Sequence, residues 1–151
     1  MLIIFDIFAI RWYFMNCTFF GHSNAPSEIK SRLKEEITKL IENRGVDRFY
    51  VGNHGNFDRM ALAVLKELSE VYPQIEYCVV YAYLPQDSKD FLHTVYPEGI
   101  ENVPKRFAIN YRNNWLIQKS DIVITFVVKS YGGTAKFKKI AEKQGREIIE
   151  L

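Results

Sequence analysis

Ile122-Val-Ile-Thr-Phe-Val-Val128 is followed without interruption by Lys129-Ser-Tyr-Gly-Gly-Thr-Ala-Lys-Phe-Lys138. The first run is apolar and β-branched, the pattern of a buried strand. The second turns on paired glycines and enters a helix near Thr134. Strand, glycine turn and helix N-terminus in that order build an anion site. Gly132 and Gly133 allow positive φ and close backbone approach. The free N–H groups and positive dipole end of the helix then favour a phosphate or carboxylate.

Working outward, the same alternation recurs. Cys17–Phe20 reads as a short buried strand, with Gly21-His22-Ser23-Asn24 as its exit loop. Pro26 and Ser27 open a helix in which Ile29, Leu33, Ile37, Leu40 and Ile41 share one face, and Gly45 is the expected left-handed terminator. Arg48–Val51 is a second strand, and Gly52-Asn53-His54-Gly55-Asn56 its exit loop. Asn56 is expected to cap a helix carrying Phe57, Met60, Ala61, Val64, Leu68 and Val71 at helical spacing, stopped by Pro73. Glu76–Tyr83 reads as a third strand. Residues 84–104 hold Pro85, Pro97, Gly99 and Pro104 and read as a lid or a variable surface loop, with one helical turn over Asp87–Phe91. A helix over Lys105–Lys119, a fourth strand over Asp121–Val128, the glycine loop, a helix ending at Gly145 and a last strand over 146–151 complete the chain.

Strand and helix alternating in this way predict a doubly wound α/β fold: a mainly parallel sheet of five strands, order 3-2-1-4-5, with helices on both faces. Ligands of such sheets bind at the carboxyl ends of the strands, where strand order reverses. The exit loops of strands 1, 2 and 4 are rich in Gly, Asn, Ser and His, whereas the opposite ends are plain turns. That asymmetry points to one ligand site of nucleotide size.

Composition sets the remaining bounds. The chain has 151 residues, 48% hydrophobic and 25% charged, consistent with one domain over 15–151. Residues 1–14, MLIIFDIFAIRWYF, are apolar but too short to span a bilayer and lack signal-peptide features; they read as an optional extension, with Met15 as the working start, or as an extra packed element. Cys17 and Cys78 form no CxxC pair and read as buried thiols of a reducing cytoplasm. A net charge of +2 argues against a nucleic-acid or membrane partner. No cofactor or metal is expected, since His22 and His54 are lone histidines on adjacent loops. Lys136, Lys138, Lys139 and Lys143 read as a solvated helix face.

Four stretches together, GHSNAP after strand 1, GNHGNFDRMA after strand 2, RNNWLIQKSD before strand 4 and YGGTAKF after it, resemble the SLOG superfamily across residues 15–151. These are Rossmann-like proteins that include the Smf/DprA and Lonely Guy (LOG) groups, and the chain looks similar to their uncharacterised bacterial branch. The resemblance implies a nucleotide-derived ligand and, by analogy, a homodimer. It implies phosphate binding by Gly132, Gly133 and Thr134, a clamp at Arg112-Asn113 and ligand contacts from Gly21, His22, Ser23, Gly52, Asn53 and Gly55. Arg112 can alternatively form a surface ion pair. Lonely Guy enzymes place a catalytic Glu three residues after the Thr of their glycine turn; here that position is Phe137. Asp58 is then the one loop-proximal acid that could serve hydrolysis, although an acid in a first helical turn is favoured by the dipole alone. Three functions follow: a non-catalytic or sensory nucleotide binder, a nucleoside monophosphate N-glycosidase or related transferase, and a ligand-free interaction protein.

Overall fold

The computed structural model describes residues 15–84 and 91–151. The expected extension over 1–14 and most of the helical turn over Asp87–Phe91 lie outside the described residues.

Strands β1 (Asn16–Gly21), β2 (Arg48–Val51), β3 (Glu76–Val80), β4 (Thr94–Val95), β5 (Ile122–Phe126) and β6 (Glu147–Glu150) form one sheet of order β4-β3-β2-β1-β5-β6. Every pairing is parallel. The expected doubly wound α/β sheet is therefore present, with one strand more than anticipated. The addition is β4, two residues that pair Thr94 with Val79 and Val95 with Val80. A strand of two residues carries no alternation, so it left no period in the sequence. The expected third strand stops at Val80 rather than Tyr83.

Period-two alternation divides the core. Cys17 and Phe19 of β1, Phe49 and Val51 of β2, and Ile122 and Ile124 of β5 face helices α1 (Lys30–Arg44) and α2 (Asn56–Val71). Phe20 and Val123 face the other way, onto Trp115, Leu116 and Ile117 of α3 (Lys105–Lys119) and Phe137 and Ala141 of α4 (Gly133–Lys143). Phe19 stacks on Phe49 across neighbouring strands, at 6.3 Å between ring centroids. The apolar stripe of α1 ends where Gly45 turns left-handed at φ 64°.

One helix start differs from expectation. Gly55, at φ 90°, is the N-terminal boundary of α2, and Asn56 is its first helical residue. The Asn56 N–H donates to the Ser23 carbonyl at 2.8 Å, and its Oδ1 accepts from Arg59 Nη1. Asn56 thus ties the β2 exit loop to the β1 exit loop. The described part of the irregular connection docks on α3: Tyr111 donates to the Glu98 carbonyl and Trp115 Nε1 to Glu98 Oε2 at 2.7 Å. His93, given no role from sequence, stacks on Tyr77 with centroids 4.1 Å apart.

Candidate functional site

The order β2-β1-β5 brings the exit loops of those three strands together, and they enclose a cleft of about 530 Å³. That is the size of a small-molecule site. Gly21, His22 and Ser23 line it from the first loop, Gly52, His54 and Asp58 from the second, and Lys129, Tyr131, Gly132, Gly133 and Thr134 from the third. Helix α3 adds Asn110, Arg112 and Asn113, and the apolar floor includes Phe20, Leu116 and Phe137. Helix α3 thus presents Asn110, Arg112 and Asn113 to the cleft, whereas none of the described residues of 91–104 lines it.

Packing explains how the loops come so close. A Cβ on Gly21 would sit 2.1 Å from the Phe57 ring, and one on Gly55 would sit 2.5 Å from the Ser23 Cα. Gly55 therefore acts by letting loops two and one touch and does not line the cleft. Gly132 and Gly133 are different: a Cβ on either would meet no described atom within 4 Å. Gly132 is explained by its φ of 95°. Gly133 has neither a positive φ nor a crowded Cα, and its backbone borders the open cleft at the first turn of α4.

Arg112 is 3% exposed, which replaces the surface ion pair considered from sequence. Its Nη1 donates to the Val80 carbonyl at 2.9 Å and to Asn53 Oδ1 at 3.0 Å, and its Nε donates to Asn113 Oδ1 at 2.8 Å. Asn53 therefore enters the site through Arg112 and does not itself line the cleft. Burial lowers the Arg112 pKa from its ordinary value, and the charge of Asp58 opposes that shift. Asp58 accepts the His54 N–H at 2.9 Å. Burial raises its carboxyl pKa to about 6, against the lowering effects of the His54 N–H, the Arg112 charge and His54. A Cβ on Gly52 would lie 2.7 Å from Asp58 Oδ2 and 3.1 Å from Arg112 Nη1. The bare Cα of Gly52 is thus the spacer between an acid and a cation on one wall.

His22 does mechanical work. Its Nε2 accepts the Val128 N–H at 2.9 Å, which places the ring proton on Nδ1. Desolvation and the nearby Lys129 charge lower its pKa, favouring that neutral form. Thr134 donates to the Gly21 carbonyl at 3.4 Å, a second, looser tie between the first and third loops. Phe137 stacks on Phe20, with centroids 5.8 Å apart, so the position at which Lonely Guy enzymes keep an acid is here part of the apolar floor. Tyr131 is 71% exposed at the rim.

Among the described residues no group of three or more His, Cys, Asp or Glu is placed to hold a metal ion. Cys17 is buried and Cys78 half-buried, and burial raises both thiols above their ordinary range, which favours inert packing. No helix among the described residues is long and apolar enough to cross a membrane. Sequence reasoning missed the coupling of Asp58 to Arg112 and the loop-tying roles of His22, Asn53 and Gly55. The signal available was the Gly-Asn-His-Gly composition of one loop, which announces tight packing without naming partners.

No protein-family model matches the chain, and a comparison with curated proteins gives no match. Among solved structures, the fold is similar to that of DNA processing protein A (DprA) from Streptococcus pneumoniae, with a TM-score of 0.65 and 15% identity. The similarity covers 92% of this chain and 50% of that one, so the chain spans about half the length of that relative. The Rossmann-like α/β fold is thereby shared with a protein of the Smf/DprA group. The exclusion of nucleic acid drawn from the net charge is corrected by this finding, because the same fold serves a DNA-processing protein. Net charge sums over the whole surface and does not report where the charges lie.

Proposed function

We propose that the chain is a SLOG-type protein that binds a nucleotide or nucleotide-derived ligand at the carboxyl ends of β1, β2 and β5, in a non-catalytic or sensory role. The observation that carries this reading is the open backbone at Gly132-Gly133, at the head of α4, in a cleft of nucleotide size. Nothing in the packing of the described residues accounts for Gly133, whereas a phosphate seated against the first turn of α4 does. Arg112 supplies a positive charge to the lining of the same cleft, and Tyr131 is a flat exposed ring for a base. Phe137 in place of an acid favours holding over cutting.

A thermal-shift panel of nucleoside mono-, di- and cyclic phosphates tests this. A ligand at a hundredfold excess over Kd raises stability by about 2.7 kcal/mol. A melting temperature that no nucleotide moves would sink the reading and leave the ligand-free interaction protein in its place.

Asp58 favours a second reading, nucleoside monophosphate N-glycosidase or related transferase. A carboxyl with a pKa near 6 at a cleft wall suits general acid chemistry close to neutral pH. Release of free base from nucleoside monophosphates, abolished by Asp58→Asn, would displace the non-catalytic reading.

A further inference from the structure

Among the described residues, two hydrogen bonds tie the glycine loop to the rest of the site, and both end at the exit of β1. The Val128 N–H donates to His22 Nε2 at 2.9 Å, and Thr134 Oγ1 donates to the Gly21 carbonyl at 3.4 Å. Every residue from Val128 to Gly133 is exposed, so no buried side chain of its own anchors the stretch. The backbone ladder of β1 and β5 ends at the pair Gly21–Phe126. His22 extends that pairing two residues along the third loop, with an imidazole nitrogen where a ladder would use a carbonyl. Its ring stands edge-on to Phe126, with centroids 6.0 Å apart.

The exchange matters because a carbonyl accepts at any pH and an imidazole nitrogen does not. Nε2 accepts only while it is unprotonated. A proton there sets two N–H groups face to face. Desolvation and the charge of Lys129, one residue past Val128, favour the neutral ring. The other titratable or charged groups that line the cleft are His54 of the second loop, Asp58 of α2, Arg112 of α3 and Tyr131 of the third loop.

We propose that neutral His22 is a positioning residue for the anion site: it holds the head of the glycine loop in place, and acid releases the loop by protonating Nε2. The consequence for binding rests on the anion reading of the cleft above; the tie itself does not. Once it is lost, the looser Thr134 bond is the remaining tie between the third loop and the first. The loop backbone then spends less time in the geometry that receives an anion, so acid weakens binding. Charge alone gives the opposite sign. An imidazolium at 22 and a neutral Asp58 would each draw an anion in more strongly as the pH falls. The direction of the pH dependence therefore separates a positioning role from an electrostatic one.

The tie is read first, in the free protein, by NMR with uniform nitrogen-15 label. A coupling between the Val128 amide nitrogen and His22 Nε2 is expected at about pH 8, with the ring proton on Nδ1. It should vanish as the ring titrates, and the amide shifts of residues 129–133 should move with the same midpoint. No coupling at pH 8, or loop amides that stay still while the ring titrates, would overturn the proposal. Binding is read second, with inorganic sulfate, which stays a dianion from about pH 5 to pH 8. Affinity should fall about fivefold towards pH 5, the worth of one net hydrogen bond. His22→Gln carries an amide oxygen that accepts without titrating, and it leaves His54 and Asp58 in place. Whatever its affinity at pH 8, its profile should not fall towards acid. Sulfate binding that strengthens in acid, or that weakens equally in His22→Gln, would overturn the positioning role. The two readings fail separately: a titrating Val128–His22 coupling with no sulfate bound at pH 8 keeps the tie and removes the anion site. Sulfate binding without the coupling does the reverse.

Discussion

The two ends of this one sheet treat their polar groups differently. At the amino end most of the groups satisfy each other, although Ser120 Oγ and Arg146 Nε are buried there without a hydrogen-bond partner among the described residues. The Asn16 N–H donates to Asp121 Oδ2, Asn16 Nδ2 to the Lys119 carbonyl, and the Glu147 N–H to the Asp121 carbonyl. Arg48 pairs with Glu76 at 3.0 Å and Arg44 with Glu147 at 2.6 Å. At the carboxyl end a buried arginine, an acid of raised pKa and an unpacked glycine backbone surround a cleft. A fold needs only the first arrangement. The second costs stability, and a cost concentrated at one end of a sheet is the mark of a site.

The comparison breaks most visibly at Arg112. Arg112→Ala removes the donor to Val80 and Asn53 and leaves Asp58 without the charge that moderates its burial. We expect a loss of about 3–5 kcal/mol in urea unfolding, the range for stripping one partner from a buried charged network. A loss below about 1 kcal/mol would mean that Arg112 is solvated through the cleft and does not organise it. Arg112→Lys should recover only part, since a lysine cannot reproduce the fork that reaches Asn113 and Asn53 at once.

Asp58 sharpens the comparison with the opposite sign. Its carboxyl is held at about 6 against an ordinary value of 3.8. Below about pH 4 it is neutral in folded and unfolded chains alike and costs nothing. Between about pH 4 and 6 the unfolded chain sheds the proton while the folded chain retains it, so stability falls as pH rises. Above pH 6 the penalty is complete. Asp58→Asn keeps an acceptor for the His54 N–H and removes the charge. It should therefore raise stability at pH 7 by about 1–2 kcal/mol, allowing for partial solvation, and flatten the pH dependence between 4 and 6. A destabilised variant at pH 7 would show that the carboxylate charge is held by Arg112 more firmly than its burial opposes it.

How much of this was legible beforehand follows from the range of each signal. The alternation of Ile29, Leu33, Ile37 and Leu40, and the glycine at 45, are local, and α1 follows them closely. The convergence of Gly21-His22, Gly52-Asn53 and Gly132-Gly133 followed from strand order, which alternation implies. Thr94–Val95 was invisible because its partner, β3, is supplied by the fold and not by its own sequence. The sequence marked Asn53 and Gly55 as site residues but not by what means: one orients Arg112 across 59 residues, and the other makes room for Ser23. The lysines of α4 read from sequence as a solvated face, and Lys136, Lys139 and Lys143 are exposed, whereas Lys138 is half-buried and paired. Pairing with Glu150 on strand β6 singles out Lys138, and no spacing rule within the helix foretells that.

The smallest effect is expected at the amino end, and it is the control for the other two. Arg48 and Glu76 sit opposite each other in register on β2 and β3, with side chains 42% and 68% exposed. Water competes for both charges, and ordering two long side chains offsets most of the Coulomb gain. Arg48→Ala should therefore shift urea unfolding by no more than about 0.5 kcal/mol and leave any nucleotide-induced thermal shift unchanged. The prediction matters because it is exposure, and not the mere presence of an arginine bonded to an oxygen, that separates Arg48 from Arg112. Comparable losses at the two positions would mean that the cleft arginine is an ordinary structural cation. The case for a site would then fall back on the glycine backbone at the head of α4.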